Sequence, residues 1–426
     1  MDPNTLKMVV LVLFIATYVA LLIFQKWRAY IAIGIAIIFV IIGAMPLDSV
    51  LTAINWNVIM MIAGTMGTVF LFIESKMPSL MADAIIDKMP NVKWAVISLA
   101  LFAGIISAFV DNVATVLMVA PIALVISKKL DISPVPAIIA IAISSNLQGA
   151  ATLVGDTTSI LLGGYAGMDF LDFFVFRGKM GLFWVVQLGA IASTFILLVF
   201  FRKDNQAIHI TDRTKVTDYF PSVLLLGTVV LLILASFFPD KPENINGFIC
   251  LGVFAIGLIR DVIQKKDFSG VKAALKEIDY FTLLLLAGLF VVIGTITQVG
   301  IVDDIARIIT QANTDPFVIY TIICWASVLL SAFIDNIPYI ATMLPVVSAI
   351  SASMGVDPTL YYFGLLVGAT LGGNLTPIGA SANIAGLGIL RKAGYEVRSG
   401  YFMKISVPFT LAAVTTGYLL VWFIWR

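Results

Sequence analysis

The stretch Ser107-Ala108-Phe109-Val110-Asp111-Asn112-Val113 recurs almost unchanged as Ser331-Ala332-Phe333-Ile334-Asp335-Asn336-Ile337, 224 positions later. Other identical residues keep the same spacing without a gap: Ala63-Gly64 with Ala287-Gly288, Pro121 with Pro345, Pro134 with Pro358, Gly149 with Gly373, Thr152 with Thr376 and Gly155 with Gly379. A register held over so long a stretch predicts an internal duplication. Each half then contains one Asp-Asn pair near its centre.

The composition places this duplicated chain in a membrane. Of its 426 residues, 60% are hydrophobic and 12% are charged, and the mean hydropathy is +1.05. Soluble domains average about 45–50% apolar and about 25% charged residues, so a soluble globular protein and a disordered chain are excluded. The net charge is +1 and the basic residues are scattered, which excludes a nucleic-acid binder. We expect a polytopic membrane protein.

Neither cysteine nor histidine chemistry is expected to carry the function. Cys250 and Cys324 both lie in apolar runs, where free cysteines pack as small hydrophobic side chains. The single histidine, His209, lies in the most polar stretch of the chain. No histidine pair is therefore available to hold a transition metal or to relay protons within the membrane.

Apolar runs long enough to span a bilayer, for which about 20 residues are needed, predict ten transmembrane segments. The runs are 8–24, 29–45, 56–74, 135–166, 180–201, 219–238, 246–263, 280–299, 358–390 and 404–425. Runs 135–166 and 358–390 are too long for one straight helix and are rich in Gly, Ser, Thr and Asn at their centres, which predicts helices broken in mid-membrane. Two further apolar stretches, 93–128 and 317–352, are interrupted by the Asp-Asn pairs. We interpret them as re-entrant hairpins, with short paired spans as the alternative.

The distribution of Lys and Arg predicts the orientation of each half. Twenty of the 26 basic residues fall on one side and six on the other, so both termini face outside and the linker 202–218 is cytoplasmic. The first repeat covers 1–201 and the second 219–426. Each has five spans, an odd number, so the second copy crosses the membrane in the opposite sense. Inverted repeats with broken helices are typical of alternating-access transporters. Segments 77–90 and 301–312 are predicted to be interfacial helices.

Polar residues at the hairpin tips and helix breaks are the candidate substrate and ion ligands. Irregular backbone at membrane depth is tolerated only where it is buried in protein or lines a wet cavity, and a carboxylate there is by default a functional candidate. The candidates are Asp111, Asn112, Thr115, Asn146, Thr152, Asp156, Thr157, Thr158, Asp335, Asn336, Asn374, Thr376, Ser381 and Asn383. Their oxygen atoms suit a hard cation such as Na⁺, for which Asp111, Asn112, Asp335 and Asn336 are the expected ligands. Apart from Na⁺ or H⁺ as a coupling ion, no cofactor is expected.

Each aspartate has a structural alternative. An Asp-Asn pair at a helix junction often only caps the next helix, and Asp156, whose repeat partner is Ala380, can likewise cap a half-helix. No Lys, Arg or His is predicted near the three carboxylates. Burial disfavours the charged form of a carboxylate, so these groups can carry protons near neutral pH or stay ionised against Na⁺. A bare multivalent carboxylate would be repelled unless several cations came with it.

These motifs resemble the ion transporter superfamily, and more closely its branch of arsenite permeases (ArsB-type), the melanosomal P protein and NhaD-type antiporters, with a citrate transporter-like domain. The resemblance covers nearly the whole chain and is carried by Ser107 to Asn112, Ser145 to Leu147, Gly149 to Asp156, Gly372 to Asn374 and Gly379 to Asn383. It implies an elevator-type secondary transporter, usually a homodimer, that binds substrate and ions between hairpin tips and broken helices. We expect it in the plasma membrane.

Two departures from the family pattern concern the substrate. The dicarboxylate branch carries Ser-Asn-Thr at the tips where this chain has Asp-Asn, which argues against a di- or tricarboxylate carrier. Thr157-Thr158-Ser159 stands where relatives often have Pro-Pro-Asn. Three substrates stay open. Efflux of a small inorganic oxyanion or metalloid acid such as arsenite, coupled to H⁺ or Na⁺, is favoured over Na⁺/H⁺ antiport, and Na⁺-coupled di- or tricarboxylate transport is third.

An enzyme and a channel are the alternatives from other classes. A presenilin-like protease needs Gly-x-Gly-Asp, but Leu153 occupies the first position of that motif before Val154-Gly155-Asp156. A rhomboid-like Gly-x-Ser-Gly fails at Gly379-Ala380-Ser381-Ala382. A passive channel has no need of two inverted halves with broken helices. We therefore expect a carrier and no enzymatic activity.

Overall fold

The computed structural model describes residues 2–207, 214–216, 218–238, 240–312 and 315–426. His209 and part of the predicted linker 202–218 lie outside these residues. Over the described residues the chain forms twenty α-helices. In chain order these are α1 Pro3–Ile23, α2 Arg28–Ile41, α3 Val50–Ala53, α4 Trp56–Glu74, α5 Met77–Ile86, α6 Val92–Ser107, α7 Asn112–Lys129, α8 Val135–Gln148, α9 Thr157–Ala166, α10 Leu182–Phe200, α11 Phe220–Ser236, α12 Ile245–Lys265, α13 Ser269–Glu277, α14 Tyr280–Gln298, α15 Ile301–Ala312, α16 Pro316–Ser331, α17 Asn336–Met354, α18 Thr359–Leu366, α19 Ser381–Lys392 and α20 Ser399–Trp425.

The helices of the two halves begin at equivalent residues. Helices α4 and α14 match at both ends when shifted by 224 positions, and so do α6 and α16. Each start is set by an Asp or Asn whose side-chain oxygen accepts a backbone N–H of the first turn, the usual way to satisfy a free helix end. These N-caps are Asn55, Asn91 and Asp111 in the first half and Asp279, Asp315 and Asp335 in the second. The duplication seen in the sequence is therefore also a duplication of helix boundaries.

The long helices form a first packed group in which the two halves interlock. Helix α4 packs on α12, and α2 packs on α14, with α1 and α11 alongside. A Cβ added to Gly64 of α4 would lie 2.4 Å from the carbonyl carbon of Cys250. A Cβ added to the equivalent Gly288 of α14 would lie 2.8 Å from the carbonyl carbon of Ala32. Equivalent glycines thus allow equivalent close helix crossings in the two halves.

The second group contains the hairpins, the broken helices, α10 and α20. Helices α6 and α7 form the first hairpin and pack on α8, and α16 and α17 form the second. The first break consists of a 3₁₀ turn at Gly149–Ala151 followed by irregular backbone up to α9. The second break contains a π-helical segment Val367–Leu371 and a 3₁₀ turn Gly373–Leu375 before α19. Helix α19 packs on α7 and α8, so the halves also meet here.

Eight of the described helices are long and apolar enough to cross a membrane, and two of these, α7 and α17, are second arms of hairpins. The first arms, α6 and α16, have 16 residues each. At a rise of about 1.5 Å per residue they reach about 24 Å, short of a hydrocarbon core of about 30 Å. The shorter α2 and α11 and the two broken helices complete the ten spans. The predicted fold class is confirmed: an all-α polytopic membrane protein with two inverted repeats, each with a re-entrant hairpin and a broken helix.

Short elements connect the spans. The predicted interfacial segments form helices, α5 covering the first ten residues of 77–90 and α15 covering 301–312. Three of these elements were not predicted: the four-residue helix α3, helix α13 and a short β-hairpin. Helix α13 is too short and too polar to be recognised as a span. The strands β1 Val175–Phe176 and β2 Lys179–Met180 form an antiparallel β-hairpin with a tight turn.

Opposite orientation of the two hairpins makes a direct prediction for cysteine labelling. Lys128 lies in the last turn of the second arm of the first hairpin and Asp315 caps the first arm of the second, and both are exposed. We expect Lys128→Cys and Asp315→Cys to react with a membrane-impermeant maleimide from opposite sides. Exposed Lys392, predicted to be cytoplasmic, provides the reference variant Lys392→Cys, and the native Cys250 and Cys324 are buried. Labelling of positions 128 and 315 from one side would contradict the inverted repeat.

Candidate functional site

The two Asp-Asn pairs lie at the hairpin tips, and both aspartates cap the helix that follows. Asp111 Oδ1 accepts the N–H groups of Val113 and Ala114 at 3.0 and 3.1 Å, and Asp335 Oδ1 accepts the N–H of Ile337 at 3.1 Å. The structural alternative, in which each of these aspartates caps the next helix, is therefore correct. Capping occupies Oδ1 of each carboxylate, which leaves Oδ2 for other partners.

Each helix break is tied to the hairpin of its own half by the same two contacts. Thr152 Oγ1 donates a hydrogen bond to the carbonyl of Ala108, and the equivalent Thr376 Oγ1 donates to the carbonyl of Ala332. Gly155 and Gly379 lie directly against the same hairpin ends. A Cβ on Gly155 would be 2.8 Å from the Ala108 oxygen, and one on Gly379 would be 2.8 Å from the Ala332 oxygen. The breaks are thus built as copies, and each fixes the position of one tip.

Hydrogen bonds between the halves join the two breaks. Asn146 Nδ2 donates to the Thr370 carbonyl at 2.8 Å, and Asn374 Nδ2 donates to the Ile143 carbonyl at 2.9 Å. The Thr158 and Thr370 hydroxyls are 3.0 Å apart. Asn112 Nδ2 in turn donates to Asn146 Oδ1 at 3.2 Å. One buried network therefore connects the first tip to both broken helices.

A cavity of about 280 Å³ opens between the tips, the breaks and the ends of α4 and α14. Seven of the predicted site residues line it: Asp111, Asn112, Asn146, Asp156, Thr157, Asn336 and Ser381. The other seven do not: Thr115, Thr152, Thr158, Asp335, Asn374, Thr376 and Asn383. The sequence reasoning missed Glu277, Asp279 and Thr282, which line the cavity near the start of α14.

The charged side chains described at the cavity are all negative. Asp111, Asp156, Glu277 and Asp279 contribute four carboxylates, and no Lys, Arg or His is among the described lining residues. The carboxylates of Asp111 and Asp279 are close enough to interact electrostatically, as are those of Asp111 and Asp156. A field of this sign attracts cations and repels free anions.

Four helices begin at this cavity, and they differ in the residue that precedes the first turn. Asn112, Asn336, Thr157 and Ser381 are the first residues of α7, α17, α9 and α19, and all four line it. An aspartate precedes the first three helices, whereas Ala380 precedes α19, which has no side-chain cap. The positive end of the α19 dipole is therefore the least compensated of the four.

Asp156 does not cap α9, contrary to the alternative considered for it. Its side chain lacks the N-cap hydrogen bond that Asp111 and Asp335 make, and its Oδ2 accepts the Thr158 hydroxyl at 2.8 Å instead. The residue is only 6% exposed. A buried carboxylate that is not needed to cap the start of a helix is a stronger candidate for an ion or proton site.

The expectation that no basic residue lies near the three aspartates is wrong for Asp335. Arg28 Nη1 lies 2.9 Å from Asp335 Oδ2, and the two side chains are 13% and 16% exposed. Arg28 begins α2, 307 positions away in sequence. Because the pairing depends on how the two helix groups pack, no local sequence pattern indicates it.

Three of the predicted site residues that do not line the cavity have buried oxygen atoms without partners. Among the described residues, Thr115 Oγ1, Asn374 Oδ1 and Asn383 Oδ1 accept or donate no hydrogen bond. An unsatisfied buried polar group costs about 1–3 kcal/mol, so these oxygens are candidate ligands for an ion. Within the described ranges no cluster of His, Cys, Asp and Glu could hold a metal ion. The Na⁺ site expected at Asp111, Asn112, Asp335 and Asn336 stays a prediction.

The chain is similar to transporters along nearly its whole length. The family model described as "Citrate transporter" (CitMHS) matches residues 18–368. The uncharacterized transporter Rv2685 of Mycobacterium tuberculosis is 28% identical, over 98% of both chains. The 46 kDa membrane protein of Mycobacterium leprae is 32% identical over 76% of each chain. The P protein of Sus scrofa is 26% identical and covers 89% of this chain with 55% of its own length.

Two solved structures share the fold at low sequence identity. The YdaH transporter of Alcanivorax borkumensis has a TM-score of 0.60 at 14% identity and covers 94% of this chain and 97% of its own. MtrF of Neisseria gonorrhoeae has a TM-score of 0.52 at 14% identity and covers 88% and 83%. These likenesses concern the fold alone.

Proposed function

The chain belongs to the CitMHS citrate transporter family, and from this premise we propose that it is a secondary active transporter that exports a small metalloid acid, such as arsenite in its neutral form, in exchange for H⁺ or Na⁺. Membership makes it a membrane transporter. The substrate, the coupling ion and the mechanism are the proposed part. The observation that carries the proposal is a cavity lined both by four carboxylates and by the uncapped start of α19.

The charge of the cavity favours a neutral solute over a free anion. A weak metalloid acid keeps its protons near neutral pH and carries several hydroxyl groups. These can donate hydrogen bonds to carboxylates such as Asp111 and Asp156, while its oxygens accept from the first-turn N–H groups of α19, a helix without a side-chain cap whose first residue, Ser381, lines the cavity. Donors and acceptors face the same space, which suits a small hydroxylated acid. A fully ionised oxyanion would meet four negative charges without a counter-charge.

Coupling is proposed at Asp111 with its neighbours Asn112 and Asp156. Asp111 is partly buried at a tip, lines the cavity and has no cation paired with it among the described residues. Placing such a carboxylate within a membrane costs free energy unless a proton or metal cation binds to it. The cavity also reaches Glu277 and Asp279, in a connection predicted to be cytoplasmic, so we infer that this is the inward-facing state.

Elevator-type movement is proposed for the second helix group relative to the first. The tips, the breaks, α10 and α20 are held together by hydrogen bonds, so they can move as one body past α4 and α14. Broken helices packed within one rigid unit are typical of alternating access. Location in the plasma membrane with both termini outside, and assembly as a homodimer, belong to the same proposal.

Two other functions of the same site are kept as competing outcomes. Na⁺/H⁺ antiport is favoured by the four carboxylates without a basic partner in the cavity. Transport of a di- or tricarboxylate is favoured by the family description alone. That substrate would have to enter with several cations to offset the negative field.

Purified protein in liposomes, with a pH dye inside and an imposed pH gradient, distinguishes these functions. We expect arsenite to collapse the gradient without Na⁺, because the neutral acid exchanges for protons. Collapse by Na⁺ or Li⁺ alone would replace the proposal by cation/proton antiport. Collapse only by citrate together with Na⁺ would replace it by a carboxylate carrier. Protein-free liposomes control for permeation of the neutral acid through lipid.

A further inference from the structure

The two hairpin tips are copies, but their aspartates have different partners. At Asp335 both oxygens are engaged, Oδ1 by the N–H of Ile337 and Oδ2 by the guanidinium of Arg28. At Asp111 the N–H groups of Val113 and Ala114 both bond to Oδ1, and no cation pairs with the carboxylate among the described residues. A site that was duplicated has thus become asymmetric in charge.

Arg28 is held in place at both ends of its guanidinium. Its Nε donates to the Leu21 carbonyl at 3.1 Å, while Nη1 reaches Asp335 at 2.9 Å. A second bond joins the same parts of the molecule, from the Tyr18 hydroxyl to the Pro338 carbonyl at 3.1 Å. A guanidinium keeps its charge at any physiological pH, and a partly buried pair resists screening by salt. Arg28 is therefore a permanent positive charge at the second tip.

We propose that Arg28 is the resident counter-ion of Asp335, so that the exchangeable cation of the transport cycle binds at the Asp111 tip alone. The inference rests on the proposed function, because it concerns which carboxylate couples transport to a cation. Arg28 lies on α2 in the first helix group, whereas Asp335 lies on the second hairpin. The fixed charge thus also bridges the two groups in this state.

Removing Arg28 is expected to convert the second tip into a cation site. In Arg28→Ala the partly buried Asp335 carboxylate would have no counter-charge, which favours uptake of a free cation. Transport by this variant should depend more steeply on the driving cation, with a higher Hill coefficient, because two carboxylates now take part. The double variant Arg28→Ala/Asp335→Asn should return the coefficient to the wild-type value.

The transport arm is measured in proteoliposomes as the initial rate against the concentration of the driving ion. Lys7→Ala is the matched control, because Lys7 also pairs with an aspartate, Asp304, at 2.5 Å but away from the cavity. It should leave the coefficient unchanged. An Arg28→Ala variant that transports with the wild-type coefficient would overturn the proposal. So would a double variant that keeps the steeper dependence.

A second arm does not depend on transport and separates a failure of this inference from a failure of the proposed function. Thermal unfolding of the purified variants is followed with Na⁺, Li⁺ or methylguanidinium added against choline. Arg28→Ala should unfold at a lower temperature than wild type and be stabilised by at least one of these cations. Arg28→Ala/Asp335→Asn should be more stable than Arg28→Ala and insensitive to them. If no cation stabilises Arg28→Ala, or if the double variant is no more stable, Arg28 is not a replaceable counter-ion.

Discussion

Asp111→Asn is expected to weaken ion-coupled transport strongly while leaving the fold intact. Asparagine retains an oxygen that can accept the N–H groups of Val113 and Ala114, so the start of α7 keeps its cap. The negative charge that faces the cavity is lost. A charged ligand contributes about 1.5–3 kcal/mol, which corresponds to roughly a ten- to hundredfold loss of affinity for the coupling cation. The rate of solute-driven pH change in proteoliposomes measures this loss.

Two matched variants give this prediction its control. Asp315→Asn changes another N-cap aspartate, and the first repeat already uses Asn91 at the equivalent position, so near wild-type transport is expected. Asp335→Asn removes the partner of Arg28 and should change transport without reproducing the loss of cation dependence. If Asp111→Asn keeps full ion-dependent transport, the first tip is not the coupling site.

The architecture was predictable because the sequence contains two copies of the same repeat. The gapless offset that relates Asp111 to Asp335 also relates the N-caps Asn55 and Asp279, so each half checks the boundaries of the other. The hairpins and breaks were visible because Asp, Asn and Gly interrupt apolar runs. Helix α13 and the short β-hairpin were missed because neither is long enough to be a span, and the first half has only a 3₁₀ turn, Leu47–Ser49, and the four-residue helix α3 where α13 stands in the second.

The site was only partly predictable, because half of it depends on how helices distant in sequence pack. Thr370 joins the two breaks through Asn146 and Thr158 and was not among the candidates. Its position 224 residues after Asn146 was the signal that could have found it. Glu277 and Asp279 resembled ordinary loop acids until the fold placed them at the cavity.

The asymmetry between the halves separates the two roles of the site. Where Asp156 stands in the first half, Ala380 stands in the second, and it is Asp335, not Asp111, that has an arginine partner. At the tips and breaks, the first half therefore contributes two free carboxylates, Asp111 and Asp156, whereas the second contributes the uncapped helix α19 and a neutralised tip. Cation exchange and solute binding can then use different residues of one cavity.

Gly379→Ala and Gly155→Ala are expected to cause the largest loss of both stability and transport. A Cβ on Gly379 would lie 2.6 Å from the Gly373 oxygen and 2.8 Å from the Ala332 oxygen. A Cβ on Gly155 would meet the Gly149 oxygen at 2.7 Å, in the same arrangement. These are backbone atoms, which cannot rotate away as a side chain can, so the break must move off the hairpin end. Overpacking of this kind costs about 1–3 kcal/mol.

Thermal unfolding and proteoliposome transport of the same preparations measure the two losses together. Gly388→Ala in α19 is the matched control, because a Cβ there has no atom within 4 Å. Alanine is favoured over glycine within a helix by about 0.8–1 kcal/mol, so this variant should be at least as stable as wild type and transport normally. Gly155→Ala and Gly379→Ala should both unfold at a lower temperature than Gly388→Ala. Displacing the break also moves Thr152 or Thr376 away from its hairpin carbonyl. Wild-type stability and transport in both Gly155→Ala and Gly379→Ala would mean that close packing of break on hairpin is not what positions the tips.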